Sequence, residues 1–119
     1  MGDLTKHFSA HEFACRCGCG KKVIDSQFLQ LLEDSREGTF VPFVITSGVR
    51  CMSHNKAVGG KEHSAHISGK AVDIECKDSM RRFNLLRALI RDFDRIGIAK
   101  DFIHVDNDIT KPKEVTWLY

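Results

Sequence analysis

Two short stretches of this chain alternate so that one side is apolar and the other carries the acidic and imidazole side chains, and that period of two limits what it can build. In KAVDIEC, residues 70–76, Val72, Ile74 and Cys76 share one side while Ala71, Asp73 and Glu75 share the other. In FIHVD, residues 102–106, Ile103 and Val105 oppose Phe102, His104 and Asp106. Each pattern predicts a strand with one apolar face, and Asp73 is expected to point away from the core. Val41 to Thr46 is a β-branched run broken by Pro42 and followed by Ser47-Gly48, a short strand that would deliver Arg50 to a loop. Glu114 to Tyr119 offers a closing strand.

Helical signals lie between these strands. Ser9 and Glu12 form a capping-box pattern for a turn over residues 10–14. Asp25 is a good N-cap for a helix that carries Phe28, Leu29, Leu31 and Leu32 on one side and stops near Gly38. Asp78 or Ser79 caps another, with Phe83, Leu86, Leu89, Ile90 and Phe93 as the expected buried stripe and Arg81, Arg82, Arg87 and Arg91 solvated. The stretch through Gly59-Gly60 and Gly69 reads as loop, and Gly97 is expected to close the region of the second helix. Strands this few and this irregularly spaced give an α+β domain rather than a doubly wound sheet.

At 119 residues and 42% hydrophobic composition, the chain suffices for one core, so residues 1–119 are expected to form a single domain. Eighteen Lys and Arg against sixteen Asp and Glu, scattered along the chain, argue against a nucleic-acid partner. The glycines at 59, 60 and 69 fit neither a phosphate loop nor a dinucleotide fingerprint. No apolar stretch is long enough to cross a bilayer, and MGDLTKHFSAHEF lacks the basic-then-apolar order of a signal peptide, so cytoplasmic synthesis and no membrane partner are expected.

The chemistry concentrates in Ser64-Ala-His66-Ile-Ser-Gly69-Lys-Ala71-Val-Asp73. With His104 on a later strand, two imidazoles and a carboxylate make a three-ligand set that leaves a tetrahedral metal one open position, the arrangement of a catalytic rather than a structural site. Hydrolysis also needs a proton acceptor, and Asp101 stands three residues before His104. In a regular strand these two would face opposite ways, so Asp101 would have to come from the entering loop. Arg50 could clamp a substrate carboxylate or stabilise an oxyanion, and Ser64 could add a hydrogen bond. Asp106, on the face of His104, would either orient that imidazole or simply end the strand. Taken singly, any such His or Asp is more often an ordinary surface residue.

Five cysteines are an odd number, and three crowd into Cys15-Arg16-Cys17-Gly18-Cys19. These three could join Cys51 or Cys76 in a closed thiolate site, remain free, or form disulfides; Cys76, on the apolar face of its strand, reads as core.

With these residues in view, the sequence resembles the zinc D-alanyl-D-alanine carboxypeptidases and related murein endopeptidases, which share a fold with the Hedgehog signalling domain and the vancomycin-resistance D,D-dipeptidases. The resemblance runs through HFSAHEFACRCGCG, ITSGVRC to HNKAVGG, HSAHISGKAVDI, FIHVD and Trp117. It implies a small antiparallel sheet with flanking helices, one catalytic zinc on His66, Asp73 and His104, Asp101 as general base, and Arg50 and Ser64 at the substrate. The implied partner is the peptidoglycan stem peptide, cut by a monomer at a D-alanyl or L-alanyl-D-glutamyl bond, as in phage or prophage lysis of the cell wall. The Hedgehog domain supplies the alternative, a zinc-holding interaction module without catalysis.

Overall fold

The computed structural model describes residues 2–119. A 3-10 turn over Ala10–Phe13 leads to α1 (Ser26–Glu37), β1 (Ile45–Ser47), α2 (Met52–Ala57), β2 (Ala71–Glu75), α3 (Ser79–Leu89), β3 (Arg95–Ile98), β4 (Phe102–Asp106) and β5 (Val115–Leu118). The starts follow the expected chemistry: Glu12 accepts from the Ser9 amide at 2.7 Å, the Asp25 carboxylate from Phe28 N at 2.9 Å, and Asp78 from Arg81 N at 2.8 Å. Among the described residues no helix is long and apolar enough to cross a membrane.

The strands form one five-stranded sheet in the order β1-β2-β4-β3-β5. Three of its pairings are antiparallel, as expected, but β5 runs parallel to β3, so the sheet is mixed. One face carries Val72, Ile74, Ile96, Ile103 and Val105 against Phe28, Leu32, Leu85, Leu89 and Phe93 from the α1 and α3 side. Burying these apolar side chains, each worth about 1.5–3 kcal/mol, is what holds helices and sheet together. Phe8, Phe13 and Phe43 extend the same core under the N-terminal turn, with ring centroids 5.7 and 6.3 Å from Phe8.

Several local expectations shift. Val41 and Phe43 are buried and Val44 is exposed, but β1 spans only Ile45–Ser47, with the Val44 carbonyl just before it accepting from Glu75 N at 2.8 Å. In α3 the buried positions are Leu85, Ala88 and Leu89, whereas Phe83 and Ile90 are 63% and 68% exposed. The helix is thus rotated from the expected stripe, and its cationic side chains do not decide its inner face. Residues 52–57 form a short helix where loop was expected, and Gly97 lies inside β3 rather than ending a region.

A candidate metal centre in an open cleft

On the sheet face away from the helices, strand register sets Asp73 directly beside His104, and His104 beside Gly97, which in turn pairs with Trp117. One row across β2, β4, β3 and β5 therefore supplies two candidate ligands, an empty position and an indole. Asp73 does point away from the helix-packed core, yet it is only 7% exposed, because the loop bearing His66 folds over that face. His66 and His104 are buried as well, at 2% and 8%.

The sequence from Ser64 to Asp73 places His66 by local geometry. Ser64 Oγ accepts from the His66 amide at 3.2 Å, turning the chain. Gly69 adopts φ +73°, and a Cβ there would lie 2.5 Å from the Val23 carbonyl oxygen, so only glycine fits. Ala71 is fully buried beside Asp106 in the ladder.

Each ring is held with one nitrogen facing the centre. His66 Nδ1 bonds to the Gly48 carbonyl at 2.7 Å, which fixes that nitrogen as the donor and leaves Nε2 free, 3.3 Å from Asp73 Oδ1. His104 is oriented the other way round: Nε2 bonds to Asp106 Oδ2 at 2.7 Å, and Nδ1 sits 3.0 Å from Asp73 Oδ1. Tetrahedral zinc with bonds near 2.0–2.1 Å would hold such donors about 3.3 Å apart, so the two measured separations fit the ion. Histidine ligands that give their second nitrogen to a carbonyl or carboxylate are the usual support for such sites. Asp106 is itself gripped by Arg95 Nε at 2.7 Å, and Arg95 reaches Pro112 O at 2.5 Å and lies over the Trp117 ring.

Electrostatics follow from this packing. Burial alone would raise the pKa of Asp73, but the neighbouring His104 and His66 imidazoles hold it well below the usual carboxylate range. Burial works against protonation of His104, yet its bonds to Asp106 and Asp73 raise its pKa. Asp73 is thus an anion at neutral pH, as a ligand must be.

A cleft of about 640 Å³ opens over the triad. Arg50, Ser64, Lys61, Phe102, Trp117 and Tyr119 are among its walls. Arg50 follows a β1 irregularity that brings Ser47 opposite Asp73. Its guanidinium bonds to Ser47 Oγ at 3.1 Å and Asn55 Oδ1 at 3.2 Å, and lies 3.5 Å from Asp73 Oδ2. Asn55 was not singled out from the sequence. It is buried, bonds to the Lys61 carbonyl at 2.8 Å, and is approached so closely by Gly60 that a Cβ there would stand 2.2 Å from its oxygen. Gly59-Gly60 therefore serves the arginine, a link with no signal in spacing alone.

Asp101 is the expected site residue that the fold does not bring in. It occupies the tight turn between β3 and β4, where Ala99 N bonds to Phe102 O at 2.9 Å, and its own carbonyl accepts from Cys76 N at 2.8 Å. Its side chain is exposed and is not among the cleft walls. Continuing the ladder by one residue puts position 101 on the side of Ile103, opposite His104. The carboxylates in the cleft are Asp73 and Asp106, and both are already bonded.

The family model described as Peptidase M15 matches residues 6–106 of this chain, a span that includes the whole triad. No curated protein matches it.

Proposed function

Because the chain belongs to the peptidase M15 family, whose peptidases are zinc-dependent, we propose that it hydrolyses D-amino-acid-containing peptide bonds of bacterial peptidoglycan, with His66, Asp73 and His104 as the metal ligands. The observation that carries this reading is the convergence of three preoriented donors at the floor of an open cleft. His66, Asp73 and His104 would hold the zinc, which when bound would supply a water of lowered pKa and a Lewis acid for the scissile carbonyl.

The chain's own residues do the rest. Gly48 and Asp106 fix the two rings so that no reorganisation is needed when substrate arrives. Arg50, held by Ser47 and Asn55, presents its planar fork to a stem-peptide carboxylate or to the charge that develops on the carbonyl oxygen. Phe102, Trp117 and Tyr119 give one wall of the cleft an aromatic surface against which a substrate side chain can pack. The sequence resemblance supports peptidoglycan as the polymer and a phage or prophage lysis enzyme as the setting. It supports both a D,D-carboxypeptidase and an L-alanyl-D-glutamate endopeptidase.

Asp101 as general base is the part of the proposal that its exposed position favours least, and that position is what favours the second reading, a zinc-holding interaction module. Defined muropeptides incubated with wild type, His66→Ala and Asp101→Asn, with mass spectrometry of the products, separate the readings. One bond cut by wild type and by neither variant, with metal retained in Asp101→Asn, establishes the peptidase and its base. Cleavage that survives in Asp101→Asn removes that residue from the mechanism. A metal-loaded wild type that leaves every muropeptide intact favours the module.

A further inference from the structure

Four of the five cysteines meet in space, three from the loop at residues 15–19 and one, Cys51, from the residue that follows Arg50. Cys15 Sγ lies 3.4 Å from Cys17 Sγ and 3.8 Å from Cys51 Sγ, and Cys17 Sγ lies 3.7 Å from Cys51 Sγ. Cys19 completes a set whose ligand atoms all fall within 4.8 Å of one another. A tetrahedral zinc tetrathiolate with bonds near 2.3 Å has sulfur–sulfur edges of about 3.8 Å, and three of the six edges are measured close to that value. Disulfide bonding would pull one pair to about 2.05 Å and leave the others with no reason to stay close; all five thiols are free.

The surroundings favour thiolate. The Cys51 amide donates to Cys15 Sγ at 3.4 Å, and the His54 amide donates to Cys51 Sγ at 3.3 Å. Cys76, the other candidate from the sequence, is fully buried in the helix-side core and takes no part.

We propose that Cys15, Cys17, Cys19 and Cys51 hold a second metal ion, a structural zinc, that staples the N-terminal loop to the segment carrying Arg50. Four thiolates leave no open position, so the ion has no catalytic role. Its leverage is positional. Cys51 is the residue after Arg50, and Val49 just before it already bonds to Phe13 O at 2.8 Å. Arg16, between two of the ligands, reaches the carbonyl of Ile45 at 2.8 Å. With the ion in place, the turn that aims the guanidinium is tied to the chain on both sides of residue 50.

This inference stands apart from the peptidase reading, and its test reads metal rather than turnover. Elemental analysis of protein purified under reducing conditions should give two zinc per wild-type chain, one in His66→Ala and one in the Cys15→Ser, Cys17→Ser double variant. His66→Ala, with every cysteine intact, should take up cobalt with intense sulfur-to-metal charge-transfer absorption, which the double variant should lack. Thiol alkylation should become complete only after unfolding and chelation. A His66→Ala protein that holds no metal, cobalt binding without thiolate absorption, or a disulfide within the four cysteines would overturn the proposal. Because wild type and His66→Ala retain all the thiols, misfolding of the serine variants leaves it falsifiable.

Discussion

Asp106 shows how much of the triad's geometry rests on a residue outside it. Its two oxygens divide between His104 Nε2 and Arg95 Nε, each at 2.7 Å, so it fixes a ring plane while its own charge is balanced from behind. Asp106→Asn preserves shape and removes the charge that makes the imidazole a better donor. The expected result is a metal affinity lower by about 10–100-fold, as measured by competition with a chromogenic chelator. An affinity equal to wild type would reduce Asp106 to a strand-end residue. Of the cleft residues named from the sequence, His66, Asp73, His104, Arg50 and Ser64 do gather, because each sits in a local motif whose turn or strand parity can be read directly. Asp101 does not, because parity places it opposite His104 and a tight turn keeps it there. Asn55, Arg95 and Tyr119 carried no local signal; their contacts join segments distant in the chain.

At the scale of elements, the pairing of β5 with β3 decides the far wall of the cleft. Gly97 is what allows it: a Cβ at that position would lie 2.6 Å from Trp117 Nε1 and 2.8 Å from a Tyr119 ring carbon. Gly97→Ala would reduce the entropy of the unfolded chain, an effect of about 0.4–1 kcal/mol. Overpacking, at about 1–3 kcal/mol, outweighs it, so net destabilisation is expected. The chain contains one tryptophan, which makes its fluorescence a direct report. A shifted emission maximum together with a lower thermal midpoint is the expected outcome, and an unchanged spectrum would mean that the indole does not rest on residue 97. The parallel alignment of β5 escaped the alternation argument because period and apolarity fix which residues share a face, while direction depends on how the 107–114 segment returns across the sheet.

For the whole molecule, one question is what ties the N-terminal segment to the helical layer. Glu33 of α1 is buried and accepts from the His7 amide at 2.8 Å and from the His7 ring, with Glu37 near the same imidazole. Burial would raise its pKa, but the hydrogen bonds from His7 lower it below the ordinary value of 4.5. A depressed carboxylate stabilises the fold above that value and loses its contribution as the pH falls from there through the folded-state pKa. Glu33→Gln should therefore be less stable at neutral pH, by about 1.5–3 kcal/mol for hydrogen bonds to a charged group. In urea unfolding from pH 7 to pH 3, its gap to wild type should narrow below 4.5, and a gap that stays constant would show that the charge is not the cause. The sequence by itself determined the α+β class, the capped helices α1 and α3, the strands bearing Asp73 and His104, and the triad, since all of these follow from short-range periodicity, capping and motif spacing. Tertiary structure alone decided the mixed sheet, the rotation of α3 and the burial of the triad. It also chose Cys51 over Cys76 as the neighbour of the N-terminal thiols. Each of these outcomes depends on which distant segments pack together, and that is set by the summed burial of a whole core rather than by any local pattern.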